Sequence, residues 1–288
     1  MKVLVLGATG MLGNAVYRVL SNCSDMQTYG SIRHDAARQL FPTDLRAGLK
    51  VVKDLENQIE LEQLFGSISP DIVINCTSQA NLNPNDPMRS ISLFSVLPHR
   101  LSYLCAREGT RLIQISSDGV FSGRRGQYTE DDIPDADDLY GIAKLLGEVT
   151  GQHAITLRTS IIGHQLQGAG GLLEWFLAQK NECKCYRQAI FSGFPTVVLA
   201  EIISKIIIPR PGLNGIYHVA TKPISKYELL ELVAKRYGKI ITLIPDDKVA
   251  IDRSLRTNKF NAATGYTAPD WPSLIDEMYS DKFGLGKA

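Results

Sequence analysis

Lys2-Val3-Leu4-Val5-Leu6-Gly7-Ala8-Thr9-Gly10-Met11-Leu12-Gly13 is the stretch whose reading decides the fold. A short, β-rich apolar run passes directly into three glycines spaced G-x-x-G-x-x-G, and the glycines open a helical segment. Gly7 permits a tight turn, Gly10 lets the backbone approach an anion, and Gly13 lets helix and strand pack closely. The helix-end amides of Met11 and Leu12 face the same point, where the helix dipole favours negative charge. Glycines alone are ordinary turn residues. At a strand-to-helix junction inside a βαβ unit they predict a dinucleotide site built on Gly7, Gly10, Met11, Leu12 and Gly13.

The pattern continues outward from this junction. Strands are expected over 2–6, 26–30, 49–53, 71–76, 111–116 and 154–159, several of them nearly unbroken apolar runs such as Ile72-Val73-Ile74. Such runs mark parallel strands buried on both faces. Between them lie segments with helical spacing, including Ile59, Leu61, Leu64 and Phe65, and Leu97, Leu101, Leu104 and Cys105. The alternation predicts an α/β fold with a doubly wound parallel sheet of the Rossmann kind. After about residue 160 the rhythm loosens. A glycine cluster (Gly168, Gly170, Gly171) precedes helices expected over 172–179, 198–208, 226–237 and 273–279, with a strand over 215–220. The expected organisation is a dinucleotide-binding domain over 1–160, joined by late elements near 195–220. Residues 161–288 mainly form a smaller, interleaved substrate lobe.

Composition narrows the class of partner. The 288 residues carry a formal net charge of +1 with 21% charged residues, which gives no bulk-charge basis for nucleic-acid or membrane binding. No apolar stretch reaches the ~18 residues of a membrane helix, and the N-terminus lacks a signal peptide's long apolar region. A cytoplasmic protein with a small-molecule partner is expected. Cysteines 23, 76, 105, 183 and 185 lack framework spacing and are read as free thiols. Cys183 and Cys185 supply only two ligands and the histidines are scattered, so no metal site is expected.

An NAD-binding fold often ends its second strand with a carboxylate for the ribose hydroxyls. Here the segment is Tyr29-Gly30-Ser31-Ile32-Arg33-His34, with no acid before Asp35. Ser31 and Arg33 suit a 2′-phosphate, so NADP(H) is the expected cofactor and NAD(H) the alternative. Arg33 also reads as a solvated loop residue. Asp54 and Leu55, past the third strand, are further cofactor candidates, although Asp54 also reads as a helix cap.

Tyr140-Gly141-Ile142-Ala143-Lys144 places a phenol and an ammonium on one helix face. An ammonium beside a tyrosine favours phenolate and is expected to bring its pKa down from about 10 towards useful acid–base strength. By itself Y-x-x-x-K is commonplace. Ser116-Ser117-Asp118, at the end of the strand before it, adds hydroxyls at the sheet edge where open α/β folds bind ligands. Ser117 there can hydrogen-bond a substrate carbonyl.

These motifs together resemble the extended short-chain dehydrogenase/reductases, and among them the dTDP-4-dehydrorhamnose reductase type. The resemblance runs through Asn75-Cys76-Thr77-Ser78, Ile115-Ser116-Ser117-Asp118-Gly119-Val120-Phe121, Leu139-Tyr140-Gly141 and Lys144-Leu145-Leu146-Gly147-Glu148, with weaker matches to residue 259. It implies NAD(P)H-dependent reduction of the 4-keto group of a nucleotide-linked 4-keto-6-deoxy sugar. By position, Ser117 orients the carbonyl, Tyr140 protonates the alkoxide, and Lys144 holds the nicotinamide ribose. Cys76, Thr77 and Ser78 border the cofactor, while Ser117, Asp118, Gly119 and Arg253 border the sugar. Arg253 also reads as a surface ion-pair residue. A homodimer is expected by analogy alone.

Two departures stand out. Gly119 replaces the tyrosine usual in these reductases, which opens space beside the sugar. Phe94 stands where the family's asparagine is expected. Two other readings remain open. An epimerase keeps its cofactor through the cycle; a dehydratase places an Asp-Glu pair where this chain has Asp118-Gly119. The other is a non-catalytic dinucleotide-binding regulatory subunit, since relatives of this kind serve as partner subunits of other enzymes. Ser117, Tyr140 and Lys144 argue against it, because binding alone needs no acid–base pair.

Overall fold

The computed structural model of the chain describes residues 1–78, 86–168 and 170–284. Its centre is a seven-stranded sheet of β1 (Lys2–Leu6), β2 (Gln27–Ile32), β3 (Leu49–Val51), β4 (Ile72–Asn75), β5 (Arg111–Ile115), β6 (Ala154–Arg158) and the strand Gly215–His218. In space the order is Gly215–His218, β6, β5, β4, β1, β2, β3, with every neighbouring pair parallel. From β1 the chain winds outward through β2 and β3, then crosses back to β4. A doubly wound sheet binds ligands at such a switch point, beyond the strands' C-terminal ends.

Burial follows from the period of two along each strand. In β1, Val3 and Val5 enter one core and Leu4 and Leu6 the other, all four fully buried. The first core is shared with Ala15, Val16 and Leu20 of α1 (Met11–Ser21), with Leu199 and Ile203 of a later helix, and with Leu274 and Ile275 near the C-terminus. The second takes Leu61, Leu64 and Phe65 of α2 (Gln58–Ile68), and Leu97, Leu101, Leu104 and Cys105 from the helix Leu97–Glu108. Ile59 departs from the expected apolar face. Lying in the first turn of α2, it is 67% exposed.

The late elements interleave with the early ones. Gly215–His218 pairs with β6, with Tyr217 opposite Leu157. The helix expected over 198–208 starts two residues earlier, at Thr196, and its last turn, Ile203–Ile207, is π-helical. The C-terminal helix is longer than its apolar spacing suggests, spanning Trp271–Gly284. Cys183 and Cys185 lie on an additional strand, Glu182–Tyr186, paired with Thr242–Asp246. Both are buried in the core as free thiols with their Sγ atoms 3.8 Å apart. No helix among the described residues is long and apolar enough to cross a membrane, and none of their His, Cys, Asp and Glu side chains form a group able to hold a metal ion.

Candidate active site

The glycine turn is built against the end of β4. Gly7 adopts φ +77°, and a β-carbon on it would come within 3.1 Å of the Cys76 carbonyl oxygen. A β-carbon on Gly13 would overlap the Gly7 carbonyl oxygen, so α1 reaches its place only without one. Ser31 braces the same turn: its buried hydroxyl accepts the Gly7 N–H at 2.9 Å, and its C=O accepts the Ala8 N–H at 3.0 Å. Gly10 precedes α1 as a cap without a side-chain hydrogen bond, leaving the helix N-terminus directed into the cleft.

A cavity of about 370 Å³ extends from this turn along the ends of β1, β2 and β3. Gly7, Gly10, Ser31, Arg33, Asp54, Leu55, Thr77 and Ser78 all line it. Arg33 is exposed at its wall. The Asp54 carboxylate accepts the Glu56 N–H at 2.9 Å, while Asn57 caps α2 through the N–H groups of Ile59 and Glu60. The helix cap is therefore Asn57, leaving Asp54 in the cavity wall. His34, Lys53 and Gln167 also line the cavity and carry no motif that singles them out. Met11 turns aside towards Gly171, where a β-carbon would meet its Cε at 2.7 Å. A cleft that runs from the glycine turn past the ends of β2 and β3, the helix N-terminus and a turn closed to β-carbons at Gly7 and Gly13 fit a dinucleotide.

A second cavity of about 150 Å³ meets the first at Thr77 and Ser78. It is lined by Leu12, Cys76, Ser116, Ser117, Tyr140 and Lys144, together with Thr159, Ser160 and Ile161. Helix α5, here numbered after α3 (Pro87–Ile91) and α4 (Leu97–Glu108), spans Leu139–Leu146 and carries the phenol and the ammonium. Asp138 caps it, accepting the Gly141 N–H at 2.7 Å. A β-carbon on Gly141 would overlap the Gly119 carbonyl oxygen, so the helix sits directly on the Ser117–Gly119 turn. That contact sets Tyr140 against Ser117, whose Oγ accepts the Gly119 N–H at 3.0 Å and donates to Asp118 Oδ1 at 3.2 Å. Thr159 and Ser160 follow the end of β6, and the sheet-edge rule that identified Ser117 applies equally to them.

The electrostatics correct one expectation. Burial pushes the Tyr140 phenol above its ordinary value of 10; the Ser117 hydroxyl and Arg253 oppose that rise, while Asp118 and Asp138 add to it. The ammonium of Lys144 does not bring it down. Lys144 is itself buried, which lowers its pKa to about 8, and its Nζ donates to the Ile115 carbonyl at 2.7 Å. Tyr140 therefore rests as a neutral phenol, the form that can give a proton. Burial also raises Asp118 to about 6, against the pull of Arg253 and Ser117. Asp118, Gly119 and Arg253 are not among the residues that line this cavity, although they adjoin those that do: a β-carbon on Gly119 would lie 3.2 Å from Tyr140 Cε1, and Arg253 Nη2 is 3.3 Å from Asp138 Oδ2.

Beneath the site runs a buried polar network. Glu148, one turn beyond Lys144, takes Arg158 in two bonds of 2.8 Å and accepts the Ser116 hydroxyl at 2.7 Å. Arg158 Nη1 lies 3.3 Å from His218 Nε2.

Comparison with known proteins agrees with this architecture. The family model described as RmlD substrate binding domain matches residues 1–282. The spore coat polysaccharide biosynthesis protein SpsK of Bacillus subtilis (strain 168) is 30% identical over 251 residues, covering 82% of this chain and 80% of that protein. Methionine adenosyltransferase 2 subunit beta of Mus musculus is 32% identical over 252 residues, covering 82% and 72%. The crystal structure of dTDP-4-dehydrorhamnose reductase from Bacillus anthracis str. Ames in complex with NADP superposes with a TM-score of 0.76 at 19% identity, covering 97% of this chain and 99% of that one. A family match over almost the whole length, on a doubly wound sheet that carries a glycine turn after β1 and a Y-x-x-x-K helix, places the chain in the RmlD family of extended short-chain dehydrogenase/reductases.

Proposed function

We propose that the protein is an NADP(H)-dependent reductase of the 4-keto group of a nucleotide-linked 4-keto-6-deoxy sugar. One observation carries this reading: Ser117 and the Tyr140–Lys144 pair, from separate parts of the chain, line one small cavity that shares Thr77 and Ser78 with the glycine cleft. A bound nicotinamide cofactor supplies hydride to the carbonyl carbon. The Ser117 hydroxyl positions the carbonyl oxygen, and the neutral Tyr140 phenol gives its proton to the oxygen as negative charge develops there. Lys144 holds the ribose and offers positive charge to the phenolate left behind. Arg33 at the open wall holds the 2′-phosphate. Residues 161–288 mainly supply the sugar side, with Thr159 and Ser160 at its border.

The reading is tested by following NADPH consumption against dTDP-, GDP- and UDP-linked 4-keto-6-deoxy sugars. At least one should be reduced, and Tyr140→Phe should slow that reaction by about 10²-fold or more while leaving cofactor affinity nearly intact. An unchanged rate would remove Tyr140 from the mechanism.

A second reading is favoured by the 32% identity to a protein named as subunit beta of methionine adenosyltransferase 2. In it, the chain binds the dinucleotide as a regulatory subunit. It predicts cofactor binding with no turnover of any sugar in the panel.

A further inference from the structure

Helix α4 does not begin as an ordinary helix. The five residues before it, Ser92–Val96, form a π turn closed by the Leu97 N–H on the Ser92 carbonyl. Pro98 gives the reason: it has no N–H, so the carbonyl of Phe94, four residues back, has no ladder partner from it. The turn widens by one residue, as π turns do at functional sites. The Phe94 carbonyl then lies against Gly147, where a β-carbon would overlap it. Ser95 donates to the Ala143 carbonyl at 2.9 Å. The π turn is thus docked on α5 at both Ala143 and Gly147.

This docking delivers the Phe94 ring to the acid–base pair. The ring is 2% exposed, meets Tyr140 at 5.6 Å and 85°, and lies with its centroid 5.3 Å from Lys144 Nζ. The other groups around the ammonium leave it a role. Ile115 offers one carbonyl on the β5 side. Cys76, after β4, is a neutral thiol, pushed up to about 12 by burial. Glu148, just past the C-terminal end of α5, is engaged by Arg158 and Ser116.

We propose that Phe94 is a positioning residue of the acid–base pair. Its ring is a resting partner of the Lys144 ammonium alongside the Ile115 carbonyl, and its T-shaped contact keeps the Tyr140 phenol directed into the cavity. The ring quadrupole attracts a cation over its face, and the perpendicular aromatic contact fixes the orientation of the phenol ring. The inference rests on the roles given above to Tyr140 and Lys144.

The test is an NMR titration of the full chain carrying ¹³Cε-labelled lysine, with the Lys144 signal assigned through Lys144→Arg. Phe94→Tyr keeps the aromatic face and should titrate with the wild type. Phe94→Leu keeps the apolar bulk without the face, and the Lys144 midpoint should fall by about half to one pH unit. Should the leucine variant fail to fold, Phe94→Met makes the same comparison with a more adaptable side chain. A non-aromatic variant that titrates with the wild type would overturn the proposal, as would tyrosine and leucine variants displaced equally. The titration needs no turnover, so it stands apart from the fate of the reductase reading, which Tyr140→Phe decides.

Discussion

Burial lowers the Lys144 pKa to about 8, so if Lys144 holds the cofactor ribose as proposed, cofactor binding should be sensitive to mildly alkaline pH. Below that value Lys144 is an ammonium and can hold a ribose hydroxyl or a neighbouring negative charge; above it the side chain becomes neutral. Because binding favours the charged form, NADPH affinity should be highest below pH 8 and weaken above it. Fluorescence titrations between pH 7 and 9.5 measure this, and the slope should vanish in Lys144→Met. Gly13 is a harder constraint at the same scale. Its missing β-carbon is what allows α1 to approach the Gly7 carbonyl, so Gly13→Ala should weaken NADPH binding by 10-fold or more on the order of 1.4 kcal/mol per decade. An alanine variant that binds as the wild type would show that the helix can shift without disturbing the turn. The sequence pattern was sufficient to single out the glycines, Ser117, Tyr140 and Lys144 as candidates, because each belongs to a short motif, and the structure places them along adjoining cavities. The pattern was insufficient for the resting charge of Tyr140, which depends on burial among groups from several parts of the chain.

Helix α5 takes its position from the elements that seat it. Gly141 rests on the Ser117–Gly119 turn, Gly147 on the π turn, and Glu148 is tied to Arg158 on β6. The Glu148–Arg158 pair is almost wholly buried, with side chains 4% and 3% exposed. Removing one partner strands the other charge away from water, so Glu148→Ala should cost about 3–5 kcal/mol of stability. Urea unfolding reads this directly, and a loss below about 1 kcal/mol would mean that water reaches Arg158. Most of the elements were legible from apolar spacing, since β1 and β4 are nearly unbroken apolar runs and α4 keeps a clear helical face. The π turn was not. Its cause is one proline acting on a carbonyl four residues back, and a 3.6-residue pattern passes over it.

Across the whole molecule, the first and second halves are held together at the sheet edge. The strand Gly215–His218 lies beside β6, and His218 sits fully buried between Arg158 and the Tyr128 carbonyl. Burial and the Arg158 charge lower its pKa to about 4, so the imidazole is neutral, accepting from Arg158 through Nε2 and donating to Tyr128 through Nδ1. The unfolded chain takes up this proton near pH 6.5 and the folded chain only near 4. Stability should therefore be lost as pH falls through that window, by about 3 kcal/mol from this group. Urea midpoints at pH 7 and 4.5 should converge between the wild type and His218→Asn if the histidine is responsible. Alternation of strands and helices made the first half readable; the later part returns to the sheet only once, after a long excursion, at the β-rich run expected over 215–220.

Hydride transfer to a sugar carbon beside Tyr140 is the central step of the proposed reaction. With NADPH deuterated at the transferring C4 position and the nucleotide-linked 4-keto-6-deoxy sugars, mass spectrometry of the product should find one deuterium on sugar C4, formed far more slowly by Tyr140→Phe. Tight NADPH binding with no deuterium delivered to any of those sugars would contradict it.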